Sequence, residues 1–563
     1  MKPTGYLIII SFILAGSLCF TSCKSKHAAV KKEIVKQPEQ MDDQISDNLR
    51  AVLQFAKDNN GKINDSIKLF LPGILSVYYD KNDYHNIWSS NEKWLPVADS
   101  MFDFINNSSY YGLFPADYHM QDLAGIRQKL IKDTLGKTDA IIWTKAELML
   151  SDAFMKIAKD INEGRIIPDS VSITRKQKYI DSFFVKRLDD LRKNNSVTEL
   201  VKSIEPFNSR YLALRSLVKN FVDSMDTTHY QYITYPENDS LTFIENLQNR
   251  LEQARVVTDS ALLPDSILLS GEIKKYQDIH GLKKDGKISQ KLIDILNNTD
   301  REKFKRIAIT LDRYKSLPDS LPKKYIWVNM PAYYLELRDD DTIVIRSKVI
   351  VGKPATPTPA LYSAISDMVT YPQWTIPESI IKKDILPGLK NDAGYLARKG
   401  FNIVDSKGEI VDPFTVNWSK YTKGIPWKVM QGSGDDNALG VLKFNFNNPY
   451  SVYLHDTNER YLFGNSVRAL SHGCVRVQKW KDLAFYIARN DSLNLTPDQK
   501  LAYTVDSIKR WLALKDRKRI IVKNRLPLFI EYFTCESVNN KLVIYDDIYR
   551  NDQALSRKYF SNK

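Results

Sequence analysis

The sequence predicts a multi-domain α+β protein, and three observations carry that reading. The chain has 563 residues, too many for one hydrophobic core and enough for roughly two to four domains. Its apolar residues recur at helical spacing through the first part, then alternate with polar ones from about residue 322. Between the two patterns, residues 243–300 form a short segment with its own helix start and stop signals. The expected architecture is a helical scaffold, a three-helix module and a mostly-β domain. Hydrophobic content of 43% and charged content of 26% belong to ordinary globular chains, not disordered ones. The net charge of +14 comes from 81 basic and 67 acidic residues spread along the chain. No arginine-rich arm or zinc-finger spacing is present, which argues against nucleic acid and suits an anionic cell envelope.

Residues 1–23 read as an export signal. Lys2 precedes the apolar run YLIIISFILAGSLCF, Tyr6 to Phe20, too short for a comfortable membrane span. Thr21 and Ser22 ahead of Cys23 resemble a bacterial lipoprotein cleavage site, which would make Cys23 a lipidated membrane anchor. Phe20 departs from the aliphatic residue usual there, and an uncleaved anchor or ordinary signal peptide is the alternative. Cys19, behind bulky Leu18, is the weaker candidate; with Cys23 as the first residue only Cys474 and Cys535 remain as thiols, too few for a disulfide framework though enough for one bridge. Residues 24–45 are polar and weakly patterned, a tether with a reach of roughly 25 Å.

Residues 46–240 are expected to form the helical scaffold. In TKAELMLSDAFMKIAKDI, residues 144–161, the positions Leu148, Leu150, Ala153, Phe154 and Ile157 fit an apolar helix face. In the 243–300 module, one helix is expected to end at His280-Gly281, where glycine supplies a left-handed cap. Ser289 is placed to cap the next helix. The residues Ile273, Tyr276, Gln277, Gly281, Leu282, Asp285, Gly286, Ile288 and Leu292 resemble the three-helix peptidoglycan-binding module of bacterial wall enzymes. The resemblance implies possible glycan contact; a structural spacer is the alternative.

From 322 to 505 the pattern is mostly β. YIWVNMPAYYLELRDDDTIVIRSKVIVG alternates across an acidic turn at Asp339–Asp341, a hairpin signature. A helical insertion is expected near 378–400, and a further hairpin around Asn539-Asn540 within the closing segment, 506–563.

The chemistry concentrates in SVYLHDTNERYLFGNSVRALSHGCVRV, residues 451–477, which holds two of the seven histidines and one of the four cysteines. A zinc site would need three or four convergent ligands at short spacing. Only His472, Cys474, His455 and Asp456 offer themselves, so no metal is expected. An activated thiol explains more: a histidine that accepts the proton of Cys474 turns it into a nucleophile. Gly473 permits close backbone approach, and the amides of Gly473 and Cys474 are candidates for holding an oxyanion. Strand alternation places Tyr453 on the face of His455.

The same stretch matches the signature of the YkuD-type L,D-transpeptidases, a histidine followed after a gap by Ser-His-Gly-Cys. The longer match resembles their large YcbB-like subgroup. It includes VNMPAYYLEL, VIVGKPATPTP, YPQWTIPESI, LPGLKNDAGYLARKGF, NALGVLKFNFNNPYSVYLHDT and YFTCESVNNKLVIYDDIY. YYGLFPADYH and DINEGRIIPDSV echo that subgroup's scaffold domain. The resemblance implies Cys474 as acyl-accepting nucleophile and His455 as general base. It implies that His472, Gly473 and Ser471 support the oxyanion pocket and that Arg476 supports the site or meets a substrate carboxylate. Tyr453 and Trp374 would line the donor cleft, under a lid at about 378–430. Cys535 departs from the small or aliphatic residue usual there; it is expected to be buried and inert, since a bridge to Cys474 would inactivate the enzyme.

The implied reaction joins peptidoglycan stem peptides on the periplasmic side of the cell envelope, a donor tetrapeptide passing its acyl group to an acceptor amine in a 3–3 cross-link, with no cofactor. Carbapenems are expected to acylate Cys474. Hydrolysis by the same thioester, and a non-catalytic wall-binding lipoprotein, are the alternatives.

Overall fold

The computed structural model describes residues 34–166, 181–235, 239–256, 266–340, 342–493 and 503–560. The export signal and Cys23 lie outside the described residues. The chain divides into two units, residues up to 99 with 121–156, and residues 100–120 with 157–563.

In the first unit, the helix Met41–Asp58 buries Met41, Ile45, Leu49, Leu53 and Ala56 along one stripe. It starts inside the stretch expected to be a tether. Asp42 and Asp43 favour the positive end of the helix dipole, and burial of Met41 and Ile45 stabilises the first turn. The hairpin β1 (Ser89–Ser90) and β2 (Lys93–Trp94) follows. The buried Glu147 carboxylate accepts hydrogen bonds from the Ile87 and Trp88 amides at 2.7 and 3.1 Å and from the Tyr79 hydroxyl at 2.8 Å. The helix expected over 144–161 runs from Ala140 to Glu163, and all five apolar positions named above are fully buried.

The second unit contains three helices, Ser240–Gln253, Ser266–Ile279 and Gln290–Leu296, around a separate core that includes Phe243, Leu247, Ile273 and Leu292. Gly281 takes a φ of +62° at the helix end, and Ser289 caps Gln290–Leu296 through the Leu292 amide, as the local sequence dictates.

The β body begins with β3 (Lys324–Asn329), β4 (Tyr334–Asp339), β5 (Thr342–Gly352) and β6 (Leu361–Thr370). The turn between β4 and β5 falls at the expected acidic run, Asp339 pairing with Thr342. An insertion supplies β7 (Trp374–Thr375), β8 (Phe401–Val404), β9 (Ile410–Val411) and β10 (Lys428–Gln431), a sheet in the order β7-β10-β8-β9. It has its own core of Ile381, Leu386, Leu389, Trp418 and Val429. The short helices of 378–398 were legible in the sequence; the strands that follow them were not.

The chain then returns through β11 (Leu442–Phe446), β12 (Leu454–His455), β13 (Ala469–Ser471) and β14 (Val475–Val477). After the helices Trp480–Leu493 and Val505–Ala513 come β15 (Arg519–Ile521) and β16 (Pro527–Glu531). The order β11-β12-β14-β5-β4-β3-β16-β6 closes on itself because β6 also pairs β11. Closure leaves the ring without a free edge. β15 adds to β6, so residues beyond 505 complete the body.

Alternation along these strands serves two cores. Ile326, Val328, Leu335, Leu528 and Ile530 point into the ring. Tyr325, Trp327, Tyr334 and Phe529 point outward against Tyr211, Leu214, Phe304 and Ile307. That is why β3 is buried on both faces and loses the clean pattern of a half-exposed strand. The closing hairpin, β17 (Cys535–Val538) with β18 (Lys541–Ile544), turns at Asn539 and Asn540, both left-handed as an Asn-Asn turn favours.

Candidate active site

Register builds the site. Leu454 pairs with Val475 and Phe444, and these three are buried in the ring. The neighbouring register row is Lys443 on β11, His455 on β12 and Arg476 on β14, three polar residues on the opposite face. Tyr453 shares that face by alternation, its ring edge-on to His455 with centroids 5.6 Å apart. Cys474 lies just before β14, and the Val475 amide donates to the Tyr453 carbonyl at 3.1 Å. Strand pairing thus gathers Cys474, Tyr453, His455, Lys443 and Arg476.

Cys474 is a free thiol, partly exposed. Burial pushes its pKa up, while the Tyr453 amide and hydroxyl, Lys443 and Arg476 favour the thiolate. The Tyr453 hydroxyl interacts with both the Cys474 sulfur and the Trp374 indole, and burial holds the phenol well above its ordinary range. Trp374 therefore reaches the thiol's surroundings from β7.

His455 is 4% exposed, and its Nδ1 has no hydrogen-bond partner among the described residues. Burial, helped by Arg476 and Lys443, lowers its pKa to about 3 against the pull of the Asp456 and Leu439 carbonyls. The resting pair is therefore a thiol and a neutral imidazole, not a thiolate and an imidazolium.

The loop carrying the cysteine is braced internally. The Gly473 amide donates to Ser471 Oγ at 3.2 Å, and Ser471 Oγ donates to the Cys474 carbonyl at 2.6 Å. Gly473, whose φ is +114°, has therefore committed the N–H that the sequence suggested for an oxyanion. The Cys474 amide makes no hydrogen bond among the described residues and is the donor left available. His472 Nε2 meets Asp384 Oδ2 of the insertion at 2.9 Å and Lys353 Nζ at 3.4 Å.

Four residues that sequence reasoning passed over hold this loop. Thr358 Oγ1 donates to the Gly473 carbonyl at 2.8 Å and accepts from the Gly352 amide at 2.8 Å. The Lys353 amide donates to the Ser471 carbonyl at 2.9 Å. Tyr549, from the C-terminal segment, donates to the Gly352 carbonyl at 2.7 Å. Glu459 is a fifth omission, pairing with Arg476 at 2.7 Å. Cys535 lies in the outer core, fully buried and unbridged, its pKa pushed up to about 11 by burial.

A closed β ring thus sets a partly exposed thiol at the start of β14 next to β12, the strand that carries a buried imidazole. Residues 323–495 match the YkuD family, the L,D-transpeptidase catalytic domain, and residues 74–217 match a scaffold domain family. Over residues 323–495 the chain is thus similar to the L,D-transpeptidase catalytic domain.

A Haemophilus influenzae protein named "Putative L,D-transpeptidase" is 34% identical over 251 residues, 45% of this chain and 49% of that protein. The chain thus spans about half the length of the curated relative it matches. Among solved structures, the catalytic domain of the E. faecium L,D-transpeptidase acylated by ertapenem is 11% identical, covering 38% of this chain and 99% of that one, with a TM-score of 0.17. Mycobacterium tuberculosis L,D-transpeptidase 1 is 12% identical, covering 37% and 61%, with a TM-score of 0.14. Among the described residues no helix is long and apolar enough to cross a membrane.

Proposed function

We propose that the protein is a peptidoglycan L,D-transpeptidase that forms 3–3 cross-links between stem peptides through a thioacyl intermediate on Cys474. The observation that carries this reading is the free thiol of Cys474 gathered with the unpartnered Nδ1 of His455 on one face of a YkuD-family domain.

In this mechanism Sγ bonds to the carbonyl carbon of the third donor residue as its proton passes to His455. The Cys474 amide holds the oxyanion. Collapse breaks the C–N bond, and the imidazolium gives its proton to the departing amine of D-alanine. An acceptor amine then attacks the thioester, its proton goes to His455, and the thiol is restored. Tyr453 and Trp374 line the donor cleft, Arg476 and Ser471 support the loop, and the insertion at 378–430 acts as a lid that excludes water. Carbapenems acylate the same sulfur.

Cys23 anchors the chain by lipid on the periplasmic side of the envelope, and the 243–300 module contacts glycan. The mass of the mature N-terminus tests the first, with an unmodified Cys23 overturning it. Co-sedimentation of the full chain with purified peptidoglycan tests the second, against a variant altered on the module surface; unchanged retention would remove that role.

Purified stem tetrapeptides test the activity. Cross-linked dimers that vanish with Cys474→Ala are the expected product, whereas trimmed monomers alone would assign hydrolysis instead.

A further inference from the structure

Among the described residues, one cation near the thiol was given no role by the sequence. Lys443 sits directly opposite His455 in the β11–β12 register. Its Nζ lies 3.8 Å from the centroid of the Tyr453 ring, the residue whose amide and hydroxyl touch the sulfur. The side chain is partly buried, and its ammonium forms no hydrogen bond or ion pair among the described residues.

The other buried lysines are treated differently. Lys305 pairs with Glu302 at 2.7 Å, and Lys315 with Asp312 at 2.9 Å. A desolvated ammonium without a counter-ion is costly, so such groups are normally paired. The charges around Lys443 do not supply the missing partner. Asp367 on β6 is the carboxylate whose field reaches it, and Asp367 is held by Asn445 at 2.7 Å and Arg519 at 3.3 Å. Arg476, the other cation near the sulfur, is already matched by Glu459. Asp456 is engaged by Arg460, and Asp384 by His472. Trp374 and Tyr453 contribute only neutral groups at ordinary pH. The counter-charge missing from the resting site is the one that chemistry creates at Cys474.

We propose that Lys443 is a positioning residue whose unpaired ammonium stabilises negative charge on the Cys474 sulfur. The inference rests on the thioacyl reading above but adds a residue to it. The same positive charge repels a proton on His455. An imidazolium formed beside Lys443 is thus a stronger acid and passes its proton onward to the leaving amine. Lys443 thereby acts at both ends of the transfer, favouring the thiolate and keeping the base from retaining the proton. The aromatic face of Tyr453 holds the ammonium in place without neutralising it.

The test is the pH dependence of Cys474 alkylation by iodoacetamide, followed by intact mass on the full chain. Lys443→Met and Lys443→Gln should each move the midpoint upward by about one pH unit, a slowing of about tenfold at pH 7. Lys443→Arg should keep most of the wild-type profile, which a purely packing role would not predict for a bulkier side chain. Circular dichroism and thermal unfolding identify which variants are folded. Should one neutral variant fail to fold, the other supplies the comparison. A folded neutral variant with the wild-type midpoint overturns the inference. Acylation of Cys474→Ala by a carbapenem would instead overturn the thioacyl reading, and the alkylation profile would still decide what Lys443 does to the sulfur.

Discussion

At His455 the balance is set by burial. A ring pushed to about pKa 3 remains neutral through the whole physiological range, while burial keeps the Cys474 thiol protonated. Acylation should therefore show no acid limb near pH 6.5, the ordinary range of histidine. Carbapenem acylation rates between pH 5 and 7 should be nearly flat, rising only as the thiol begins to ionise. A tenfold fall centred near pH 6.5 would show that His455 titrates as an exposed ring does. Under the proposed mechanism, His455→Gln should slow acylation by about 10²–10⁴-fold without unfolding the protein.

Glu531 offers a second residue-scale test, on stability. It is 6% exposed, its Oε1 has no partner among the described residues, and burial raises its pKa to about 8. A carboxyl raised in the folded state carries no penalty below its unfolded pKa near 4.5, and folding loses stability as pH climbs from there toward 8. Glu531→Gln should therefore stabilise the protein at pH 7, by up to about 3 kcal/mol, and lose that advantage by pH 4.5. Thermal unfolding at the two pH values checks it; destabilisation at both would mean the carboxylate is needed ionised.

Among the elements, the turn after β5 decides whether the cysteine loop holds its shape. A Cβ on Gly352 would stand 2.2 Å from the Thr356 carbonyl oxygen and 2.7 Å from the Thr358 amide nitrogen, both backbone atoms. Gly352→Ala must push that turn away, and with it the Thr358 hydroxyl that holds the Gly473 carbonyl. A loss of about 2–3 kcal/mol in stability is expected, together with slower acylation of Cys474; a variant as stable and reactive as wild type would show the turn to be dispensable.

The contact between His472 and Asp384 is of another kind. Both side chains are more than a third exposed, so Asp384→Asn should cost less than about 1 kcal/mol. It should nonetheless speed proteolytic cleavage within 378–430, because the contact ties that insertion to the cysteine loop.

Elements also show what the sequence made legible. The Asn539-Asn540 and Asp339–Asp341 turns, the Gly281 end, the Ser289 cap and the buried face of Ala140–Glu163 follow from local rules, and local rules read them. The motif singled out His455 and Cys474, and pairing of β12 with β14 brings their two strands together. Lys443 was not legible, because a lone lysine in LKFNF gains meaning only once β11 lies beside β12. The helix at Met41 was missed because polar residues conceal a stripe whose partners lie elsewhere in the sequence.

For the whole molecule, closure is the dominant fact. β16 pairs in parallel with β3 across some two hundred residues and antiparallel with β6, which no local pattern announces. The family match ends at 495, whereas the ring is complete only at Glu531. A chain cut after residue 505 should consequently expose the edges of β3 and β6 and aggregate or remain unfolded. One reaching residue 560 should be monomeric with a cooperative transition by circular dichroism. A soluble, cooperatively folding truncation would mean that the ring does not need its last strand.

The central claim is that acyl chemistry passes through the sulfur of Cys474. Intact mass of the full chain after exposure to a carbapenem addresses it most directly. One added drug mass on the wild type, mapped to the peptide containing Cys474 and absent from Cys474→Ala, is the result expected. An adduct of the same mass on the alanine variant, or no adduct on folded wild-type protein, would contradict it.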